Sequence, residues 1–115
     1  MRSRKINSEE RARCRIIVLI SGRGTNLQAL INEAPRLGFI IDLIISSKAG
    51  AFGLERAKKH QIPFKILEHQ LFDSREDFDE ALSIIIDEKN PDLIVLAGFM
   101  RILGNKFVQH FHGRM

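Results

Sequence analysis

Residues 16–34 read IIVLISGRGTNLQALINEA, and the fold turns on this stretch. Ile16-Ile17-Val18-Leu19-Ile20 is an unbroken β-branched and apolar run, the pattern of a central parallel strand covered on both faces. Ser21-Gly22-Arg23-Gly24-Thr25-Asn26 interrupts it. Leu27, Leu30, Ile31 and Ala34 then fall at i, i+3, i+4 and i+7, which predicts an amphipathic helix capped by Thr25 or Asn26 and ended by Pro35 with Gly38. A strand that passes through a glycine turn into a helix presents free backbone N–H groups and the positive end of a dipole, an arrangement suited to an anion such as phosphate. The rival reading is that Gly22 and Gly24 serve turn geometry alone.

Downstream the plan repeats. Phe39 to Ile45 (FIIDLII) predicts a second strand, a helix is expected from about Ala51 to His60, and Ile62 to Leu67 predicts a third strand whose Pro63 suits a sheet edge. Ser74, with Asp77 three residues on, resembles a capping box. Phe78, Ala81, Leu82, Ile85 and Ile86 continue that helix until Asn90-Pro91. Leu93 to Ala97 is the fourth strand, Gly98 ends it, and a short helix is expected around Asn105 to His110.

The order β-α-β-α-β-α-β implies an α/β, Rossmann-like parallel sheet with right-handed crossovers, helices on both faces and strand order 3-2-1-4. Ligands bind outside the carboxyl ends of such strands where the order reverses, here between the first and fourth. The crevice is therefore expected between Ser21–Asn26 and Gly98–Leu103.

Two better-known phosphate motifs do not fit. A Walker loop ends in Gly-Lys-Ser/Thr, and the dinucleotide fingerprint needs a third glycine where this chain has Leu27. The second strand ends in Ser46-Ser47-Lys48 rather than in the acidic residue that holds a ribose, so a mononucleotide-like or sugar phosphate suits the turn better than NAD. His110 and His112 stand two apart, a poor spacing for one metal on a helix face. The acidic run Asp73–Glu80 reads as the favourable charge of a helix start.

Of the 18 basic and 14 acidic residues, residues 1–15 hold six and two, so the net charge of +4 sits there and the rest balances. Residues 1–14 read as a disordered basic extension and 15–115 as the folded part. An extension of this kind is a weak nucleic-acid signal, and nucleic acid is not the expected partner. Cys14 has no cysteine partner, which fits a reducing cytoplasm. The longest apolar runs are far short of the ~20 residues that span a bilayer, so no membrane role is expected.

The segments VLISGRGTNLQALI (18–31), SSKAGAFGLERA (46–57), FDSRE (72–76) and PDLIVLAGFMRIL (91–103) together resemble the N-terminal half of phosphoribosylglycinamide formyltransferase, a folate-dependent enzyme of purine synthesis. The transfer-RNA formyltransferase and the formyltetrahydrofolate hydrolase share the fold, but neither typically carries an SG-x-G-[ST]-N loop. By this resemblance Gly24, Thr25 and Asn26 clamp the phosphate of glycinamide ribonucleotide. Met100, Arg101, Ile102 and Leu103 line the 10-formyltetrahydrofolate pocket, and Arg75 is a further folate contact. The implied reaction passes a formyl group to the substrate amine without metal or covalent enzyme intermediate, through proximity and stabilisation of a tetrahedral oxyanion.

The resemblance also implies a departure. The family's next strand carries an N-x-H-P-S segment whose Asn and His, tuned by a later Asp, do the chemistry, and residues 1–115 stop short of it. No catalytic residue is therefore expected in this chain, and its fourth strand is expected to be an open apolar edge prone to self-association. The alternative reading is a non-catalytic phosphate-ligand-binding fragment or one half of a split enzyme.

Overall fold

The computed structural model describes residues 14–115, and the expectation for the basic extension concerns residues that, apart from Cys14, lie outside it. Four strands, β1 (Cys14–Ile20), β2 (Phe39–Ser46), β3 (Phe64–Ile66) and β4 (Leu93–Leu96), form one sheet. Every pair is parallel and the order is β3-β2-β1-β4, as the alternation of elements implied. Four helices accompany them: α1 (Thr25–Leu37), α2 (Gly53–Lys59), α3 (Arg75–Lys89) and α4 (Asn105–His110). A single 3-10 turn, His69–Leu71, was not anticipated.

Ile16 to Ile20 are essentially inaccessible to water because successive side chains feed two separate cores. Ile16, Val18 and Ile20 pack with Leu27 of α1 and with Leu54 and Ala57 of α2. Ile17 and Leu19 pack with Phe78, Leu82 and Ile86 of α3 and Phe107 of α4. The helices thus divide two and two across the sheet, and the middle strand is apolar throughout for that reason.

β2 keeps its alternation only by a bulge. Ile16 faces Ile41 and Ile17 faces Leu43, which leaves Asp42 with no residue opposite it. Its carboxylate accepts from the Arg15 guanidinium at 2.6 Å on the surface. Arg15 is held a second time through its backbone, whose N–H donates to Asp92 Oδ2 at 2.8 Å.

Two local expectations about α1 are corrected. Neither Thr25 nor Asn26 caps it; Gly24 does, in the left-handed region at φ 82° and ψ 24°, with no side-chain cap. Glycine takes that conformation at the lowest cost, and the packing described below leaves no room for a Cβ. Nor does Pro35 end the helix. Proline removes one N–H, but in the last turn that loss is a single bond, and the chain continues to Leu37 before Gly38, also left-handed, donates to Ala34 O.

α3 begins as predicted, with Ser74 Oγ accepting from Asp77 N–H at 3.1 Å, and Asn90 closes it in the left-handed region. β3 is shorter than its apolar run, three residues at the edge, with Lys65 and Ile66 exposed. α2 is also trimmed at both ends. β4 ladders with β1 on one side. On its other side Ile94 N–H donates to Arg114 O.

Candidate functional site

β1 and β4 run side by side in register from Ile16↔Leu93 to Leu19↔Leu96, so the turns that follow them leave the sheet at the same end. The link between those turns is direct. Met100 N–H donates to Ser21 Oγ at 2.9 Å, and Ser21 Oγ lies 2.7 Å from Ser47 Oγ at the end of β2. Both serines are buried, so a shared hydroxyl network ties three strand ends together where any unpaired polar group would be costly. Ser46 Oγ in turn accepts from Lys48 N–H at 3.1 Å and holds the β2 turn.

The glycine turn rests on the start of α2. Gly53 N–H donates to Gly22 O at 3.0 Å, and a Cβ added at Gly24 would sit 2.6 Å from Gly53 Cα. Thr25 and Asn26 project into solvent, and with no side chain capping α1 its first N–H groups are not occupied by a capping group. Asn26 also borders a groove of ≈ 300 Å³ shared with Val95, Leu96 and Ala97 of the β4 end. The candidate phosphate turn and the β4 bend therefore meet, as the sheet order required.

The 99–104 bend reaches the other way onto α3. Phe99 stacks on Phe78 with centroids 6.5 Å apart, and Phe72 meets the same ring edge-on at 5.6 Å. The Arg101 guanidinium lies 5.6 Å above the Phe78 ring, and its Nε is buried with no protein partner. Met100 and Ile102 are 74% and 72% exposed, whereas Leu103 packs against the core. Arg75 is not brought against the glycine turn. It lies at the start of α3 beside a larger hollow of ≈ 600 Å³ between α3 and α4, which Gly104 and His110 also border. Of the expected folate group, Met100 and Ile102 are exposed on the bend, Arg101 and Leu103 are partly buried, and Arg75 lies on α3 one turn before Phe78.

Partial burial, then the charges of Arg101 and Lys48, lower the His69 pKa below the usual imidazole value of 6.5, with Glu68 acting in the opposite sense. Neutral His69 is thus the form that suits the fold. The associated stability is present above pH 6.5 and is lost as pH falls from there through the lowered native pKa. Proton NMR titration should place the His69 midpoint below 6.5, and Arg101→Gln should move it upward; an unmoved midpoint would mean that the two side chains do not interact.

Several residues of this rim carried no sequence signal of their own. Ser21 and Ser47 look like ordinary turn residues, and Gly53 and Arg56 sit in a helix that the sequence predicts without giving either residue a role. Asp79, read as part of an acidic helix start, is instead buried and accepts from Gly104 N–H at 2.8 Å, fixing the far end of the bend. A glycine that must approach another backbone needs a partner without a side chain, and Gly53 is that partner for Gly24. His110, by contrast, pairs with Asp87 at 2.8 Å. Among the described residues no three of His, Cys, Asp and Glu gather to hold a metal ion.

A sequence model of the family described as formyl transferase matches residues 14–115. The chain belongs to the formyl transferase family. Among its relatives is the phosphoribosylglycinamide formyltransferase of Escherichia coli, 48% identical over 102 residues that make up 87% of this chain and 48% of that protein. The human trifunctional purine biosynthetic protein adenosine-3 is 44% identical over 110 residues, 94% of this chain and 11% of that protein. A solved phosphoribosylglycinamide formyltransferase from Coxiella burnetii superposes with a TM-score of 0.86 at 51% identity, covering 90% of this chain and 49% of that one. The chain therefore spans about half the length of the single-function relatives it matches, and a smaller share of the trifunctional one. Among the described residues no helix is long and apolar enough to cross a membrane.

Proposed function

We propose that these residues form the phosphate-binding part of a phosphoribosylglycinamide formyltransferase, which transfers the formyl group of 10-formyltetrahydrofolate to the amine of glycinamide ribonucleotide in purine synthesis. The observation that carries the reading is the opening of α1: Gly24 in a left-handed cap, no side chain over the first N–H groups, and the β4 bend tied alongside through Met100 N–H and Ser21 Oγ. A phosphate monoester placed there accepts backbone hydrogen bonds from an end of the helix that already favours negative charge. The exposed Thr25 and Asn26 add side-chain donors.

The folate surface is assigned to Met100, Arg101, Ile102 and Leu103, with Arg75 as an outlying contact. Exposed apolar side chains on either side of the Arg101 guanidinium suit a flat heterocycle that carries hydrogen-bond acceptors. When bound, the folate supplies the formyl group: one C–N bond forms at the substrate amine, another breaks at the folate nitrogen, and a proton moves from the first nitrogen to the second. The contribution of this chain is to hold the two reactants on adjoining turns, a proximity effect. No residue within 14–115 is assigned a catalytic role.

The test is binding. Calorimetry with glycinamide ribonucleotide should show an interaction that Asn26→Ala weakens by about 1–3 kcal/mol, the range for a hydrogen bond to a charged group. Unchanged affinity in that variant removes Asn26 from the site, and absent binding by the unaltered chain, with its fold intact by circular dichroism, rejects the phosphate reading for this chain.

A further inference from the structure

α2 does more than support the glycine turn from below; it sets the direction in which the turn's amides point. Two consecutive carbonyls of the turn are engaged by α2: Gly22 O accepts from Gly53 N–H at 3.0 Å, and Arg23 O accepts from Arg56 Nε–H at 3.0 Å. In a planar trans peptide the C=O and the following N–H point in opposite directions. Anchoring Gly22 O and Arg23 O towards α2 therefore turns the N–H groups of Arg23 and Gly24 away from it, to the open side of the turn.

Arg56 is itself held at two further points: its Nη1 donates to Gln28 Oε1 at 3.2 Å, and its guanidinium lies 5.7 Å over the Phe52 ring. Gln28 is steadied in its turn by a 3.0 Å bond to Asn32 Oδ1. The guanidinium thus bridges the glycine turn and the first turn of α1 in one plane, which a lysine ammonium cannot reproduce.

We propose that Arg56 is a positioning residue for phosphate recognition: it locks the Arg23–Gly24 peptide plane so that the Gly24 N–H faces the ligand. Arg56 does not touch the phosphate in this arrangement. The inference rests on the phosphate reading of the turn given above and names the side chain that keeps the turn competent before ligand arrives.

The test uses the 115-residue chain labelled with 15N and titrated with inorganic phosphate, comparing the unaltered protein with Arg56→Ala and Arg56→Lys. In the unaltered protein the Gly24, Thr25 and Asn26 amide resonances should move on titration. Both variants should bind phosphate roughly tenfold more weakly, the scale of one lost orienting hydrogen bond, with the Gly24 amide shifted before phosphate is added and the melting temperature close to that of the unaltered chain. Lysine binding as well as arginine would mean that charge alone matters and would overturn the inference, as would unaltered affinity in the alanine variant. If the alanine variant does not fold, the lysine variant decides alone. No movement of these amides in the unaltered protein would instead overturn the phosphate reading itself, and the inference with it.

Discussion

Gly24→Ala is expected to destabilise the fold by roughly 2–5 kcal/mol, the sum of an alanine forced to positive φ and an overpacked backbone contact. The new Cβ would meet Gly53 Cα at 2.6 Å, a main-chain atom that cannot swing aside, with the Arg56 side chain close behind. Relief requires α2 to move off the turn, and that movement breaks the Gly53–Gly22 and Arg56–Arg23 hydrogen bonds together. Gly22→Ala is the matched control, because nothing lies within 4 Å of its added Cβ. Its cost should be within about 0.5 kcal/mol, as for an ordinary surface change. Chemical denaturation of both variants measures the contrast, and equal midpoints would show that the turn does not press on α2.

Phe78→Ala should have a comparable or larger effect, about 3–5 kcal/mol, through the cavity left by a large buried ring. Phe78 is 1% exposed and sits where four things meet: the rings of Phe72 and Phe99, the Arg101 guanidinium and the inner face of α3. Removing it takes the floor from under the 99–103 bend, so hydrogen exchange at Met100 to Leu103 should accelerate more than exchange in β1. Phe78→Leu, which refills much of the volume, should recover most of the stability. An alanine variant whose bend stays as protected as before would show that the Met100–Ser21 and Gly104–Asp79 bonds hold it without the aromatic stack.

The sheet was legible because its signals are local and redundant. A five-residue apolar run at β1, the largely apolar FIIDLII of β2 and helical spacing from Phe78 to Ile86 each implied one element, and chain order with crossover handedness did the rest. The misreadings at α1 have one cause. Thr25 as cap and Pro35 as stop are sound rules for an isolated helix, but Gly24 is fixed by its contact with Gly53, about thirty residues away, and a proline in the final turn forfeits little. β3 fell short of its pattern because an edge strand with exposed residues has little to gain from a longer ladder.

The site divides along the same line. The glycine turn and the placement of Gly98–Leu103 beside it followed from sheet order, while the assignments of Arg75 and of Met100 to Leu103 came from family resemblance rather than from the residues. Ser21, Ser47, Gly53, Arg56 and Asp79 were beyond reach, since each acquires its role from a hydrogen bond or close contact with a distant segment. A serine hydroxyl that receives an amide from a loop 79 positions later has no sequence period to betray it.

The unopposed Asp42 has a consequence for how this chain tolerates changes in length. Losing one residue inside a buried central strand ordinarily inverts every side chain beyond it, exchanging the two oily layers and ending the fold. Excising Asp42 alone would leave Leu43 facing α3 and Ile44 facing α1 and α2, forfeiting only a solvent-side ion pair, whereas excising Leu43 would draw the Asp42 carboxylate into its buried place and excising Ile44 would also carry Leu43 to the opposite layer. Within β2, a one-codon gap is therefore survivable at a single address.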